Sequence, residues 1–233
     1  ILSSRREYTK ASPFVVLLAK GVHQITSSLS PPGVPEQQTT LGITHSNITF
    51  IGKGKGETTI LGGIGIHNLQ NITLKRLTVT NINGFGISLH GAEVDLLDIA
   101  FVHCGASGIS VRSSSSAPSQ LVATRCEISN NGASGLFIIT SGIHNNNIPP
   151  KTFCLKNCIS HHNSGNGISV YGNSVINIHG DATAVHSNGN LGIRALNSGK
   201  VVLHLPSHHN TSYTNRGEDR YTYAGGTITN VVD

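Results

Sequence analysis

Methionine and tryptophan are absent from this 233-residue chain, aromatic residues make up 5% of it and charged residues 12%. Each scarcity narrows what the chain can do. Proteins that hold single-stranded nucleic acid need stacking rings and a continuous basic stripe. Here the formal charge is +5, but apart from Arg5-Arg6 and Lys53/Lys55 the basic residues are scattered, so no nucleic-acid partner is expected. No apolar run approaches the roughly 20 residues that cross a bilayer. Phe14 to Ala19 is too short, and no membrane span is expected. No charged, apolar and small-residue leader layout precedes it. The chain does not begin with methionine and reads equally as a mature form or an excised piece of a longer protein, which leaves localisation and oligomeric state open. Four cysteines, Cys104, Cys126, Cys154 and Cys158, lack zinc-type spacing and a partner group. No metal and no cofactor is expected.

What the chain has in quantity is glycine, 27 residues of it, with Asn, Ser, Thr and β-branched side chains. This is the chemistry of strands and turns, and helix content should be low. These residues are also ordered. Gly-Ile/Leu-x-apolar recurs at Gly86-Ile87-Ser88-Leu89, Gly108-Ile109-Ser110-Val111, Gly135-Leu136-Phe137-Ile138, Gly167-Ile168-Ser169-Val170 and Gly192-Ile193-Arg194-Ala195. A weaker copy starts at Gly65-Ile66, and the steps are 21, 22, 27, 32 and 25 residues. A period in the twenties with two-residue alternation is the signature of stacked coils, each burying its apolar face only against its neighbours. The expected fold is therefore all-β, a single domain over 1–233. Residues 1–13 lead in, 14–205 form about seven coils, and 206–233 make a polar, irregular cap.

Alignment on the repeat glycine sorts many conspicuous residues into the scaffold. Cys126 and Cys158 share a slot with Leu77 and Ile99, which suits buried thiols, although a disulfide between adjacent coils stays open. Asn131, Asn163 and Asn188 each lie four residues before a repeat glycine. There they are expected to take left-handed backbone and to bond one another up the stack. Asp98 aligns with Arg76 and Arg125, giving a column of alternating charge. Two insertions, Ser113–Pro118 and Thr140–Lys151, lengthen adjacent coils and mark a face where function could concentrate.

The stretches Cys126–Ile138 and Cys158–Val170 resemble the repeat of the right-handed parallel β-helix family, the pectin-lyase-like superfold, and the resemblance covers about residues 14–205. It implies a single-stranded right-handed parallel β-helix and work on polysaccharides, as in pectate and alginate lyases, polygalacturonases, pectin esterases, epimerases and phage tailspikes. A second branch, in F-box and cytokinesis proteins, carries the repeat without established catalysis. The chain departs from the enzymes in its acids. No Asp-Asp or Gly-His-Gly is present among its eleven acidic residues and their neighbours, and nothing builds the carboxylate set a calcium-cluster lyase needs.

Four groups remain as site candidates. Glu93 and Asp95 flank an inward residue and share an outer face about 6.6 Å apart at Cα, a separation open to inverting glycosidases, though a solvated face explains them as well. His161 and His186 share an outward slot on consecutive coils, with no third metal ligand aligned. His208-His209 falls in the cap. The outward row of the Gly-Ile-x-apolar strands is the most promising: Ser88 and His90, Ser110 and Arg112, Phe137, Ser169 and Tyr171, and Arg194. Aromatic faces stack on sugar rings and Arg pairs uronate carboxylates. His90, Arg112, Phe137, Tyr171 and Arg194 are thus the expected substrate-binding residues, with no catalytic set assigned. The expectation is a β-helix that recognises, and cleaves or modifies, an extended polysaccharide or oligosaccharide. The alternative is a non-catalytic scaffold with a protein partner. Sequons at Asn47, Asn71 and Asn210 do not decide secretion, because Asn-Ile-Thr also suits strand entry.

Overall fold

The computed structural model describes residues 8–26, 40–114, 116–141, 151–206 and 208–231. Among them every strand pairing is parallel and there is no helix. The chain winds through about seven turns of a parallel β-solenoid. Most of the second insertion, 142–150, lies outside the described residues.

One sheet stacks the Gly-Ile-x-apolar strands: Thr40–Ile43, Gly63–His67, Ile87–His90, Ile109–Ser114, Leu136–Ser141, Ile168–Tyr171, Ile193–Leu196 and Arg220–Tyr223. Its inward columns are aliphatic. Ile64, Ile87, Ile109, Leu136, Ile168 and Ile193 lie in register, as do Ile66, Leu89, Val111, Ile138, Val170 and Ala195. All are buried, and each fully buried aliphatic side chain contributes about 1.5–3 kcal/mol. The register places the weaker repeat copy at Gly63-Ile64, not Gly65-Ile66, because Ile64 pairs with Ile87.

The other sheet is bent once per turn. Ile72–Thr80 and Glu93–Val102 pass through the bend as single strands, whereas the next turns break into Gln120–Thr124 with Glu127–Ser129, then Lys151–Lys156 with Ile159–His161. At each bend one residue takes left-handed backbone: Arg76, Asp98, Arg125 and Asn157, with φ of 58°, 55°, 52° and 53°. Only part of the alternating-charge column forms. Arg125 grips Asp98 through Nε and Nη2 at 2.7 and 2.8 Å, which lowers the Asp98 pKa. Arg76 turns away to donate to the Lys53 carbonyl at 2.8 Å.

Cys126 and Cys158 are free, buried thiols in register with Ile99 and Leu77. A hydrogen bond with Cys158, and then burial, push the Cys126 thiol well up. The asparagines do form a ladder, buried at Asn131, Asn163 and Asn188 and half-buried at Asn215. Asn131 Nδ2 donates to Asn163 Oδ1 at 2.8 Å, Asn163 Nδ2 to Asn188 Oδ1 at 3.0 Å, and Asn188 Nδ2 to Asn215 Oδ1 at 2.9 Å. Left-handed backbone falls one residue earlier than expected, at Asn130, His162, Ser187 and Thr214. The turn is made by that residue, which frees the following Asn to point inward. Cys104 occupies the slot one turn before Asn131 and gives its backbone N–H to Asn131 Oδ1 at 2.9 Å, and burial pushes its thiol up to about 11.

The ladder explains why glycine recurs. A Cβ at Gly135 would overlap Ser160 Oγ and lie 2.7 Å from the Gly167 carbonyl and 2.8 Å from Asn163 Nδ2. None of the repeat glycines from Gly86 to Gly192 has positive φ. They are required by the closeness of the next turn, not by backbone sign.

Pairing also continues past Leu205, through the segment expected to be irregular. Ser212–Tyr213, Arg220–Tyr223 and Thr227–Asn230 add one more rung. Asp219 occupies the glycine slot and Arg220 the column of Ile193. Arg220 Nη1 donates to Asn230 Oδ1 at 2.8 Å, across the top of the core. The columns of Ile193, Ala195 and Leu203 thus end under Arg220, Thr222 and Asn230, while Ile228 extends that of Val201, a mostly polar layer of the kind an uncovered terminal coil requires.

Candidate functional site

Strand alternation turns the residues between the inward columns to the outer face of the Gly-Ile-x-apolar sheet. Two outer columns result. One holds Gly65, Ser88, Ser110, Phe137, Ser169, Arg194 and Tyr221; the other holds His67, His90, Arg112, Ile139, Tyr171, Leu196 and Tyr223. All five expected binding residues lie on this face. At about 4.8 Å per rung, His90 and Arg194 are separated by four rungs, about 19 Å.

Their arrangement is clustered rather than continuous. Phe137 and Tyr171 face each other with ring centroids 5.4 Å apart at 50°, and the Arg194 guanidinium lies 5.3 Å from the Tyr171 ring centre. Arg194 Nε is shut off from water and has no hydrogen-bond acceptor among the described residues; the π face of Tyr171 is its neighbour. His90 is two rungs and a column away from Phe137, edge-on to His67 with centroids 6.0 Å apart. Arg112, exposed, is in register with His90 and with Ile139. Two residues expected in the row are removed from it. Ser110 and Ser169 are each 1% exposed, because larger neighbours in their column close over them, and Ser169 Oγ accepts from Asn166 Nδ2 at 2.9 Å. Ile139, Leu196, Tyr221 and Tyr223 were the residues missed. Counting four beyond each repeat glycine would have found the first two. No Asp or Glu stands on the described strands of this sheet, so the face offers guanidinium, imidazole and aromatic groups without a competing carboxylate.

The other candidates resolve into scaffold or surface. Glu93 takes Lys10 Nζ at 3.3 Å. Asp95 is raised above the ordinary carboxylate range, first by the protein packed against it and then by Glu93. His209 bonds the Asp181 carbonyl and Thr211. Among the described residues no group of three or more His, Cys, Asp and Glu could hold a metal.

His161, His186 and Tyr213 stack ring on ring up one outer column, centroids 5.1 and 5.0 Å apart, so their faces are occupied by one another. His179 and His204 stack likewise at 4.1 Å. Burial first, and neighbouring imidazoles next, lower the pKa of His186 and His179. Burial also lowers that of His161 despite Glu127 Oε1 at 3.5 Å. The unfolded chain therefore takes up these protons before the folded one does. Stability from the three residues is complete above the ordinary value of 6.5 and is lost as pH falls through their lower folded values. Thermal unfolding followed from pH 7.5 to about 5 should show a falling midpoint. A variant with His161, His179 and His186 all changed to Gln should lose most of that slope.

The family profile described as "right handed beta helix region" matches residues 62–216. No curated protein matches the chain in sequence. Among solved structures, the A-module of the Azotobacter vinelandii mannuronan C-5 epimerase AlgE4 superposes with a TM-score of 0.61 at 15% identity, over 91% of this chain and 66% of the module. The pectate lyase Pel9A gives 0.53 at 11% identity, over 94% and 71%. A pectin methylesterase in complex with a hexasaccharide gives 0.52 at 14% identity, over 99% and 86%. The chain thus spans just under two thirds of the epimerase module, and at these identities the likeness is one of fold.

Proposed function

The chain belongs to the right-handed β-helix family, and from that premise we propose that it binds an extended acidic polysaccharide across the outer face of its Gly-Ile-x-apolar sheet. The observation that carries this reading is the convergence of Phe137, Tyr171 and Arg194 on a face with two Arg, two His and no carboxylate. Tyr171 holds the Arg194 guanidinium in one orientation, leaving its Nη edge for a bidentate uronate carboxylate. Arg112, nearer the other end of the face, provides a second carboxylate anchor. Fold neighbours whose names include mannuronan, pectate and pectin support a uronate chain as the first ligand to try. No group on this face is placed as an acid–base pair, and binding is the activity these residues supply.

Calorimetric titration with oligogalacturonate and oligomannuronate tests the reading. Arg112→Ala and Tyr171→Ala should each weaken binding about tenfold, the scale of one charge-assisted hydrogen bond or one stacked ring. Affinity should fall as salt is raised. Failure of the unaltered protein to bind either uronan would sink the proposal.

A further inference from the structure

Round the corner from His67, His90 and Arg112 the turns change length. Asn68 and Gly91 make short turns, with φ of 53° and 60°, whereas on the next coil the strand ends at Ser114 and the chain detours by way of Ser116–Ser119 before re-entering the bent sheet at Gln120. The detour overhangs the shorter turns and leaves a groove of about 750 Å³. Its lip is pinned. Ser119, 4% exposed, donates from Oγ to the Arg112 carbonyl at 2.8 Å, accepts from the Ala92 N–H at 3.3 Å, and gives its own N–H to Ser113 Oγ at 2.9 Å. Gly91 seats the loop: a Cβ there would collide with the Asn68 amide and lie 3.0 Å from the Ala117 methyl. The groove is built by the fold before any ligand arrives.

Its lining differs from the cationic face. Glu93, Gln70, Gln120, Asn68, Ser116 and Thr152 supply a carboxylate, amides and hydroxyls beside Val122 and Pro118; no Lys, Arg or His lines the wall, and Lys10, not a lining residue, donates to Glu93 Oε1 at 3.3 Å. The side chains of Gln70, Gln120 and Thr152 make no hydrogen bond among the described residues. Such a lining offers an anion no cationic partner of its own, and the second Glu93 oxygen and the amides can accept from and donate to adjacent sugar hydroxyls. The volume lies within the range of small-ligand sites, roughly 300–1,000 Å³.

We propose that this groove is a second saccharide site, which takes a neutral, hydroxyl-rich sugar through Glu93 and Gln120 and is separate from the cationic face. If the face does bind uronans, the two sites together suit a polysaccharide with an acidic backbone and neutral branches; that extension alone rests on the reading above.

Cys154 provides the test. It lines the groove and is the partly exposed cysteine, the other three being buried. Its reaction with a chromogenic disulfide reagent should slow at least about fivefold when gluco-, manno- or galacto-oligosaccharides saturate the protein, since the attacking thiol needs access. Glu93→Gln and Gln120→Ala, both at the surface, should each weaken neutral-sugar binding about tenfold, the scale of a lost hydrogen bond to a charged or polar partner. Uronan binding by the same variants should be unchanged. Neutral sugars that leave Cys154 reactivity unaltered, or bind Glu93→Gln as well as the parent, overturn the site. Loss of uronan affinity in Glu93→Gln overturns its separateness. Protection of Cys154 in a protein that binds no uronan supports the groove while the reading of the cationic face fails.

Discussion

Gly63→Ala should destabilise the protein by about 3 kcal/mol or more, while Gly65→Ala, two residues away, should change stability by less than about 1 kcal/mol. Neither glycine has positive φ, so chain entropy alone would make both substitutions mildly stabilising. Their surroundings differ. A Cβ at Gly63 would lie 2.7 Å from both Asn81 Nδ2 and the Phe85 carbonyl, within the amide layer of the next turn. At Gly65 it would point outward, with Thr40 Cγ2 nearest at 3.3 Å. Urea unfolding of the two variants decides the matter. A reversed order, with Gly65→Ala the costlier change, would mean that the pairing of Ile64 with Ile87 is wrong by two residues.

Asn163→Ala removes a residue that both gives and receives. Its Oδ1 accepts from the Asn131 backbone N–H at 3.2 Å and from Asn131 Nδ2 at 2.8 Å. Its Nδ2 donates to the Ile128 carbonyl at 3.0 Å and to Asn188 Oδ1. All of this lies at 1% exposure, where water cannot replace a lost partner. Each orphaned buried group costs about 1–3 kcal/mol, so a loss of about 3–5 kcal/mol is expected. Asn163→Asp should be worse at neutral pH, because the carboxylate keeps the acceptor but sets negative oxygen against Ile128 O and Asn188 Oδ1. Lowering the pH toward about 4 should recover part of that excess, since a protonated acid can donate once. The comparison has to be corrected by the parent's own decline in acid from its stacked imidazoles. Denaturation midpoints at two pH values measure both. A loss under about 1 kcal/mol for Ala would show that the amide chain contributes little beyond its shape.

These two experiments also mark how far the amino-acid order discloses the structure. Gly-Ile-x-apolar announces the coils because its glycine has to admit an amide from the next turn, a demand that leaves few alternatives. The same signal misplaces its weakest copy, since Gly-Ile occurs twice in Gly63-Ile64-Gly65-Ile66 and the copy read from Gly65 has Asn68 in the apolar place, whereas pairing selects Gly63. Left-handed positions were displaced by one residue for a related reason. Asn130 and Asn131 are both suited to that backbone, and the His162 and Ser187 that actually adopt it are not its usual occupants. The final rung escapes notice because Asp219 stands where glycine is expected. On the outer face, the residues of the row were legible from alternation, but the closing of Ser110 and Ser169 beneath larger neighbours depends on side-chain size in adjacent coils. The insertion that overhangs the groove was legible as a lengthened turn at Ser113–Pro118, but the lining was not, because it gathers residues from several neighbouring turns.

The amide chain has a direction. From Asn131 onward each Nδ2 points to the Oδ1 of the following turn, and the last, on Asn215, ends on Asp219 Oδ1 at 2.7 Å. Each internal turn therefore presents one donor ahead and one acceptor behind, and the carboxylate that receives the final donor closes the sequence. A turn of this type can be duplicated or deleted between Asn131 and Asn215 without leaving an unmatched group. Length in this molecule is thus a modular quantity: the outer face can grow or shrink in steps of one rung while the two ends remain as they are.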